Sequence, residues 1–412
     1  MKILVLNAGS SSQKSCLYSL KEEALPVQSP KPIWEAQIDW SHHEGVAELK
    51  VKTIHGAVLK EELNAQSRQE TVEYMLKSLW QGETKVIDSL AEIDCVGHRV
   101  VHGGDKYKES SLITKEVKEA IADFAKFAPV HNPANLQGIE AIEQILGEKV
   151  AQVAVFDTAF HAKMPEAAIV YALPYEFYEH GIRRYGFHGI SHQYVSQRAA
   201  QLLGKDLTSL KLVTCHLGNG CSLAAVKNGH SIDTTMGFTP TAGLMMGTRS
   251  GDIDPGIIID LLRRGHTGEQ IDDIFNRRSG FLGLSGISAD MRKIEEAIAQ
   301  GNTRAQLAYN VYLHILRSFI GAMIASLGGV DALVFTAGVG ENAANLRADV
   351  CASFEFLGLK IDEEKNNHRP VDQDISTPDS PVKVLVIHTQ EDWAIAQECV
   401  RLTQLSVIPS PL

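Results

Sequence analysis

Residues 2–18 read KILVLNAGSSSQKSCLY. Four apolar residues, Ile3 to Leu6, run straight into Asn7, a glycine and three serines, and the chain leaves through Lys14 into Ser15-Cys16-Leu17-Tyr18. A short apolar run bounded by turn residues is the mark of a buried strand, and two such runs about a polar turn predict a hairpin. The turn is crowded with hydroxyls, backbone N–H groups and one ammonium. Gly9 permits close backbone approach, consecutive N–H groups make an anion-binding concavity, and Lys14 adds a point charge. Negative oxygens would fit there; a serine-rich surface turn is the plainer alternative.

The same design recurs. Set beside LVTCHLGNGCSL from Leu212, the stretch from Ile3 places Asn7 on His216, Gly9 on Gly218, Ser10 on Asn219 and Ser11 on Gly220. Both are apolar strands that enter a glycine-centred polar turn and leave as a strand. The echo suggests two related halves, each offering one phosphate-binding hairpin. Neither turn is a GxxxxGK[ST] loop, which occurs nowhere in the chain.

A chain of 412 residues exceeds one ordinary core, so two domains or a duplicated unit is expected. Apolar runs such as CVGHRVV, QVAVF, DALVFTA and VKVLVIH alternate with helical patterns over 115–127, 135–145, 192–203, 257–262 and 304–327, which predicts an α/β fold. A last helix is expected from Thr389, with Asp392 as a capping-box partner. The net charge of −11 disfavours a nucleic-acid binder, which needs a broad basic face. Six scattered cysteines without a CxxC pair fit free thiols in a reducing, cytoplasmic compartment. The apolar start stops at Asn7, short of a signal peptide, and the apolar stretch 318–340 is broken by Asp331 and glycines, against a membrane span.

Several residues stand where chemistry is done. Arg99 (GHRVVHGG) and Arg249 (GLMMGTRSGDIDP) sit among glycines that give them nothing to pack on, which favours anion recognition over a surface ion pair. Asp157 follows the strand QVAVF, a common catalytic position in α/β folds, although a helix N-cap would explain it too. His188 and His192 in GFHGISH are four apart, but Gly189 breaks HExxH, so His188 is read as a charge stabiliser rather than a zinc ligand. In DALVFTAGVGENAANLR a helix is expected from about Asn342, and Gly338, Gly340 and Ala343 also fit GxGxxA, the fingerprint of a dehydrogenase. Such a unit normally opens its domain, and here only about 70 residues follow with no acidic residue well placed.

Taken together, NAGSSSQK, GHRVVHGG, APVHNP, FDTAFH, RRYGFHGISH, HLGNGCSL, GFTPTAGLMMGTRSGDIDPG, SGISADMR, FTAGVGENA and TQED resemble the acetate/propionate/butyrate kinase family of the sugar kinase–Hsp70–actin superfamily, in order and in spacing. The resemblance implies an α/β fold of two related domains with an active-site cleft between them, residues 1–152 and 153–389, with a helix over 390–412 packing back on the first. It implies reversible, direct in-line transfer of the ATP γ-phosphoryl group to acetate, or to propionate or butyrate by the same machinery. Mg²⁺, with Mn²⁺ able to substitute, would be held by Asn7 and Glu391, in a homodimer without nucleic acid or membrane. On the same ground Asp157, Arg99, Arg249 and His188 would be catalytic. Arg99, Val101, Val130, Phe187 and Pro240 would bind the carboxylic acid. Ser10, Ser12, Lys14, His216, Leu217, Gly218, Asn219 and Gly220 would face phosphates, and Asp290, Met291, Arg292, Gly338, Val339, Gly340, Glu341 and Asn342 would hold the adenosine. The chain departs from the family at Thr241-Ala242, beside Pro240, and at Gln390 and Asp392, which flank Glu391; neither departure is expected to touch an assigned catalytic side chain, and the first leaves the pocket shape open. A nucleotide-driven switch, as in the chaperone and actin relatives, is the contrasting class.

Overall fold

The N-terminal run forms strand β1 (Lys2–Ala8), with Ile3, Leu4 and Val5 fully buried, and turns back as β2 (Ser12–Ser19) with Asn7 opposite Lys14. The structure is a computed structural model describing residues 1–9, 12–21, 25–26, 28–43, 45–64, 67–128, 131–147 and 149–405. Ser10, Ser11 and Val130 lie outside the described residues, as does the 406–412 end of the expected last helix.

The chain divides into two units, Met1–Ala159 with Gln390–Leu412, and Phe160–Thr389. The first unit holds an eight-stranded sheet that continues with β3 (Trp34–His43), β4 (Val46–Thr53), β5 (Val58–Asn64), β6 (Cys95–Val100), β7 (Ser111–Leu112) and β8 (Ala151–Phe156). Its order is β5-β4-β3-β2-β1-β6-β8-β7. Parallel strands β1, β6 and β8 are largely buried on both faces, which is why β1 reads as a continuous apolar run from Ile3 to Leu6 and β8 as one from Val153 to Phe156. By contrast β4 alternates, with Ala47, Leu49 and Val51 inward and Glu48, Lys50 and Lys52 outward.

The second unit holds a six-stranded sheet of β9 (Lys211–Leu217), β10 (Cys221–Lys227), β11 (His230–Thr234), β12 (Ala332–Thr336), β13 (Gln373–Asp374) and β14 (Lys383–Val386), in the order β11-β10-β9-β12-β14-β13. This order, strand by strand and with the same directions, is that of β3-β2-β1-β6-β8-β7 in the first unit. The registers agree as well. Ile3 pairs with Cys95 and Leu212 with Ala332, so the sequence offset that sets Ile3 on Leu212 also superposes the sheets. The α/β core is duplicated.

Helices cover these sheets. Glu391–Leu405 packs on β1, β6 and β8 of its own unit, burying Trp393, Ile395, Ala396 and Cys399. It can come close because β6 carries Gly97: a methyl there would lie 2.5 Å from Ile395 Cγ2 and 2.7 Å from Cys399 Sγ. This helix begins at Glu391 rather than Thr389, because the Thr389 hydroxyl is bonded to Ser191 Oγ (2.9 Å) and the Asp392 carboxylate is used elsewhere. After β12 the chain enters a helix at once, Ala337–Asn342, instead of near Asn342. Ala337 makes the sharp turn at φ 64°, and Gly338 and Gly340 fall inside the helix, where glycine propensity alone argues against one. The pattern over 115–127 resolves into Lys115–Asp123 and a 3₁₀ turn, and the next helices start earlier than expected, at Asn132 and Gly189.

Candidate active site

In the first unit, β1, β6, β8 and the last helix bring together side chains far apart in sequence. Asn7, at the end of β1, donates through Nδ2 to Glu391 Oε2 (3.2 Å) and Asp392 Oδ1 (2.9 Å). Arg99, in β6, donates through Nη2 to Asp157 Oδ2 at 2.7 Å, and Asp157 is only 1% exposed. Asp157 is thus the partner of a largely enclosed arginine. Burial alone would make the guanidinium easier to deprotonate; the carboxylates of Asp157, Glu391 and Asp392 outweigh it and hold Arg99 firmly charged. Burial pushes Asp392 above the usual carboxylate range, as does the charge of Glu391, while Asn7 and Lys14 pull it down. Lys14 is exposed and Ser12 half-buried on β2; Val101, just past β6, is buried and donates its N–H to Asn135 Oδ1 (3.1 Å).

Asp392, a departure from the family pattern, makes a side-chain contact with Asn7, which was assigned to the metal, and shares that amide with Glu391. The contact spans 385 residues of sequence, and no local signal points to it.

In the second unit the β9–β10 turn carries Gly218, Asn219 and Gly220, closed by Gly218 N–H to Gly220 O at 3.0 Å. Asn219 lies over Gly247, where a methyl would come within 2.0 Å of its Oδ1. A methyl on Gly220 would lie 3.4 Å from His188 and 3.6 Å from Arg249 Nη1, so the turn, His188 and Arg249 converge. Arg249 donates through Nη1 to Pro240 O at 3.1 Å. His188 takes a left-handed conformation (φ 54°) at the start of helix Gly189–Leu203, which swings its ring onto that of His216 with centroids 4.1 Å apart. Leu217 and Phe187 are buried beside these groups in the chain, and Pro240 is half-buried.

Two further segments of the unit hold the remaining expected residues. Asp290 caps helix Met291–Ala299, accepting from the Arg292 N–H and paired with its guanidinium, while Met291 is buried. In helix Ala337–Asn342, Gly338 faces open space, Val339 is half-buried, Glu341 accepts from His388 Nδ1 (2.6 Å), and Asn342 Nδ2 donates to Gly338 O (2.8 Å). Arg347, which sequence reasoning missed, holds that helix in place: 1% exposed, it donates to the carbonyls of Gly340 (2.9 Å) and Glu341 (2.8 Å). Among the described residues no group of three or more His, Cys, Asp or Glu is placed to hold a metal ion.

Residues 2–397 match the Acetokinase family. An acetate kinase of Nostoc punctiforme is 62% identical over 400 residues, covering 97% of this chain and 98% of the relative. One from a Cyanothece species is also 62% identical, over 405 residues, with 98% and 99% covered. Among solved structures, the acetate kinase of Porphyromonas gingivalis aligns with a TM-score of 0.89 at 43% identity, covering 98% of this chain and 99% of that one. A propionate kinase from Francisella tularensis aligns at 0.88 and 38%, covering 97% and 99%.

Proposed function

The chain belongs to the acetokinase family, and from that membership we propose that it transfers the γ-phosphoryl group of ATP to acetate, reversibly, giving acetyl phosphate and ADP. The observation that carries this reading is 62% identity to acetate kinases along nearly the whole chain. Acetate is already ionised at pH 7, so the reaction needs no strong base. Its difficulty is bringing a carboxylate up to a triphosphate, and positive groups and N–H donors must offset that repulsion while taking up the charge that spreads over the phosphoryl oxygens. Arg99 and Arg249 orient the carboxylate and brace the phosphoryl group, and His188 steadies the transition state. Asp157, which holds Arg99, is an orienting group and not a proton acceptor.

Ser10, Ser12, Lys14 and residues 216–220 are assigned to the phosphates, and residues 290–292 and 338–342 to the adenosine. Val101, Val130, Phe187 and Pro240 are assigned to the methyl group, and the size of Val101 and Val130 favours acetate. One methylene in such a pocket is worth only about 1–3 kcal/mol, so propionate should react more slowly rather than not at all. The test is trapping with hydroxylamine: protein and Mg-ATP are incubated with acetate, propionate or butyrate, and acyl hydroxamate is compared by kcat/KM. Acetate is expected to lead. A longer acid in front would keep the mechanism and change the substrate; ATP hydrolysis with no hydroxamate would overturn the reading in favour of a nucleotide-driven switch.

The donor set of the first unit suits Mg²⁺, which takes hard oxygen ligands and typically binds through one or two carboxylates plus substrate phosphates. Glu391 and Asp392 offer the carboxylates, the Asn7 amide that donates to both would turn its oxygen inward to join them, and the unfavourable charge of Glu391 beside buried Asp392 is what a divalent cation would relieve. Bound there, the ion would neutralise phosphate charge during transfer. Glu391→Gln should raise the Mg²⁺ concentration for half-maximal activity by about tenfold or more. Unchanged Mg²⁺ dependence would remove Glu391 from the site.

The protein works as a cytoplasmic homodimer in this reading. All six cysteines are buried free thiols, which suits a reducing compartment. The apolar surface supports the dimer. Ile257, Ile258, Ile259 and Leu262 on helix Pro255–Arg263 are 37–47% exposed, and Leu307 is 56% exposed on helix Thr303–Leu327. That helix is long and apolar enough to cross a membrane, but it packs on β9, β10 and β11 and on helices Gly280–Ser285, Met291–Ala299 and Ala344–Ala352, and a second copy of this chain would cover the apolar side chains still exposed. Ile258→Glu should shift sedimentation from dimer to monomer; a dimer that survives it places the interface elsewhere.

A further inference from the structure

Around His188 the second unit contains a buried chain of side chains with no part in the reaction as described. His192 Nδ1 lies 2.7 Å from Thr214 Oγ1, its Nε2 lies 2.8 Å from Ser222 Oγ, and Ser222 Oγ lies 2.9 Å from His188 Nδ1. Thr214, His192 and Ser222 are all completely buried, so water cannot supply a missing proton or lone pair. Each hydroxyl has one proton to give, and a neutral imidazole has one N–H and one lone pair. The direction of any one bond therefore sets all the others.

Thr214 decides it, because its hydroxyl donates to the carbonyl of Ala224 at 3.4 Å. Its oxygen must then accept from His192 Nδ1–H. His192 is neutral, since burial holds its pKa well below the ordinary histidine value and the nearby His161 and His216 act in the same direction. Its Nε2 is thus a lone pair, which takes the single proton of Ser222. Ser222 is left with lone pairs for His188, whose Nδ1 must carry hydrogen. In the opposite direction Thr214 would give its proton to His192, and its buried oxygen would have no donor.

We infer that Thr214, His192 and Ser222 are positioning residues that hold neutral His188 as its Nδ1–H tautomer, so that Nε2 donates a hydrogen bond only when the ring is the imidazolium. The tautomer follows from the bonds alone; its bearing on catalysis rests on the function proposed above. Under that function His188 presents either a charged donor to the transferring phosphoryl group or, when neutral, a repelling lone pair. Around the ring stand His216 from β9, stacked on it, His192 on its own helix, and the Arg249 guanidinium across Gly220. Phosphates bound beside the ring would favour the imidazolium.

The test uses full-length protein with ¹⁵N-labelled histidine. Above the His188 pKa its Nδ1 is expected to show a bonded proton and its Nε2 none, with turnover falling about tenfold per pH unit on that limb. Thr214→Val removes the acceptor for His192 Nδ1–H. The ring then donates from Nε2 to Ser222, Ser222 donates to His188 Nδ1, and neutral His188 becomes the Nε2–H tautomer. In this variant the alkaline fall should flatten to less than about twofold per unit, while Thr214→Ser should restore the wild-type tautomer and profile. Should Thr214→Val fail to fold, Ser222→Ala frees His188 directly and is read in the same way. Wild-type protein that makes acyl hydroxamate but carries the neutral proton on Nε2, or variants indistinguishable from wild type, would overturn the inference. Absence of hydroxamate in the wild type would instead sink the proposed function and leave the tautomer to stand on its own spectrum.

Discussion

Arg99→Ala should lower kcat by a factor on the order of 10³, the scale of losing an arginine that braces a transferring phosphoryl group, or about 4 kcal/mol of barrier. Arg99 is charged and largely enclosed, with its side chain 16% exposed, and its Nη2 is fixed at 2.7 Å from a buried carboxylate. Lys14, by contrast, is a flexible, exposed point charge. The substitution also takes the guanidinium away from the buried Asp157 carboxylate, so the expected loss of turnover comes with a lower unfolding temperature. Arg249→Ala should lower turnover on the same scale. An Arg99→Ala enzyme with near-normal turnover at saturating substrates would overturn the assignment.

Arg347→Ala should destabilise the protein by about 3–5 kcal/mol. Besides the carbonyls of Gly340 and Glu341, Arg347 bonds Asn366 twice, through Nε to its Oδ1 and Nη2 to its O, both at 2.8 Å. Burial lowers its pKa to about 10, so it stays charged at neutral pH. Removing it leaves four acceptors, and a buried unsatisfied group costs about 1–3 kcal/mol. Relaxation should keep the total below the sum. The first element to loosen would be helix Ala337–Asn342, which carries two glycines and the strained Ala337. A lower urea midpoint together with a raised KM for ATP is expected, and Arg347→Lys should recover only part of both, since an ammonium cannot span the same fork. A stable variant with unchanged KM would show that the helix holds its shape without this support.

Both arginines are plain in the sequence, but only one could be interpreted there. Arg99 stands at a strand end among glycines, a setting that separates it from the many surface arginines. Arg347 sits in an ordinary helical pattern, and its role depends on the carbonyls it meets. The same contrast holds for the histidines. His188 belongs to a dense local motif, whereas His192 becomes informative only when Thr214 and Ser222 from neighbouring strands close on it.

The amino-acid sequence by itself determined the buried strands, the two glycine-centred hairpins and the repeat that relates Ile3 to Leu212, because strand burial and turn chemistry are short-range properties written within about ten residues. Where the hydrogen bonds go was decided by the tertiary structure. Asn7 reaches Asp392 across the chain, the last helix begins two residues late because Thr389 is taken by Ser191, and a helix forms through Gly338 and Gly340 because Arg347 satisfies its carbonyls. In each case a buried polar group takes whatever partner the fold brings within 3 Å or so, and an unpaired one costs more than local propensity can return.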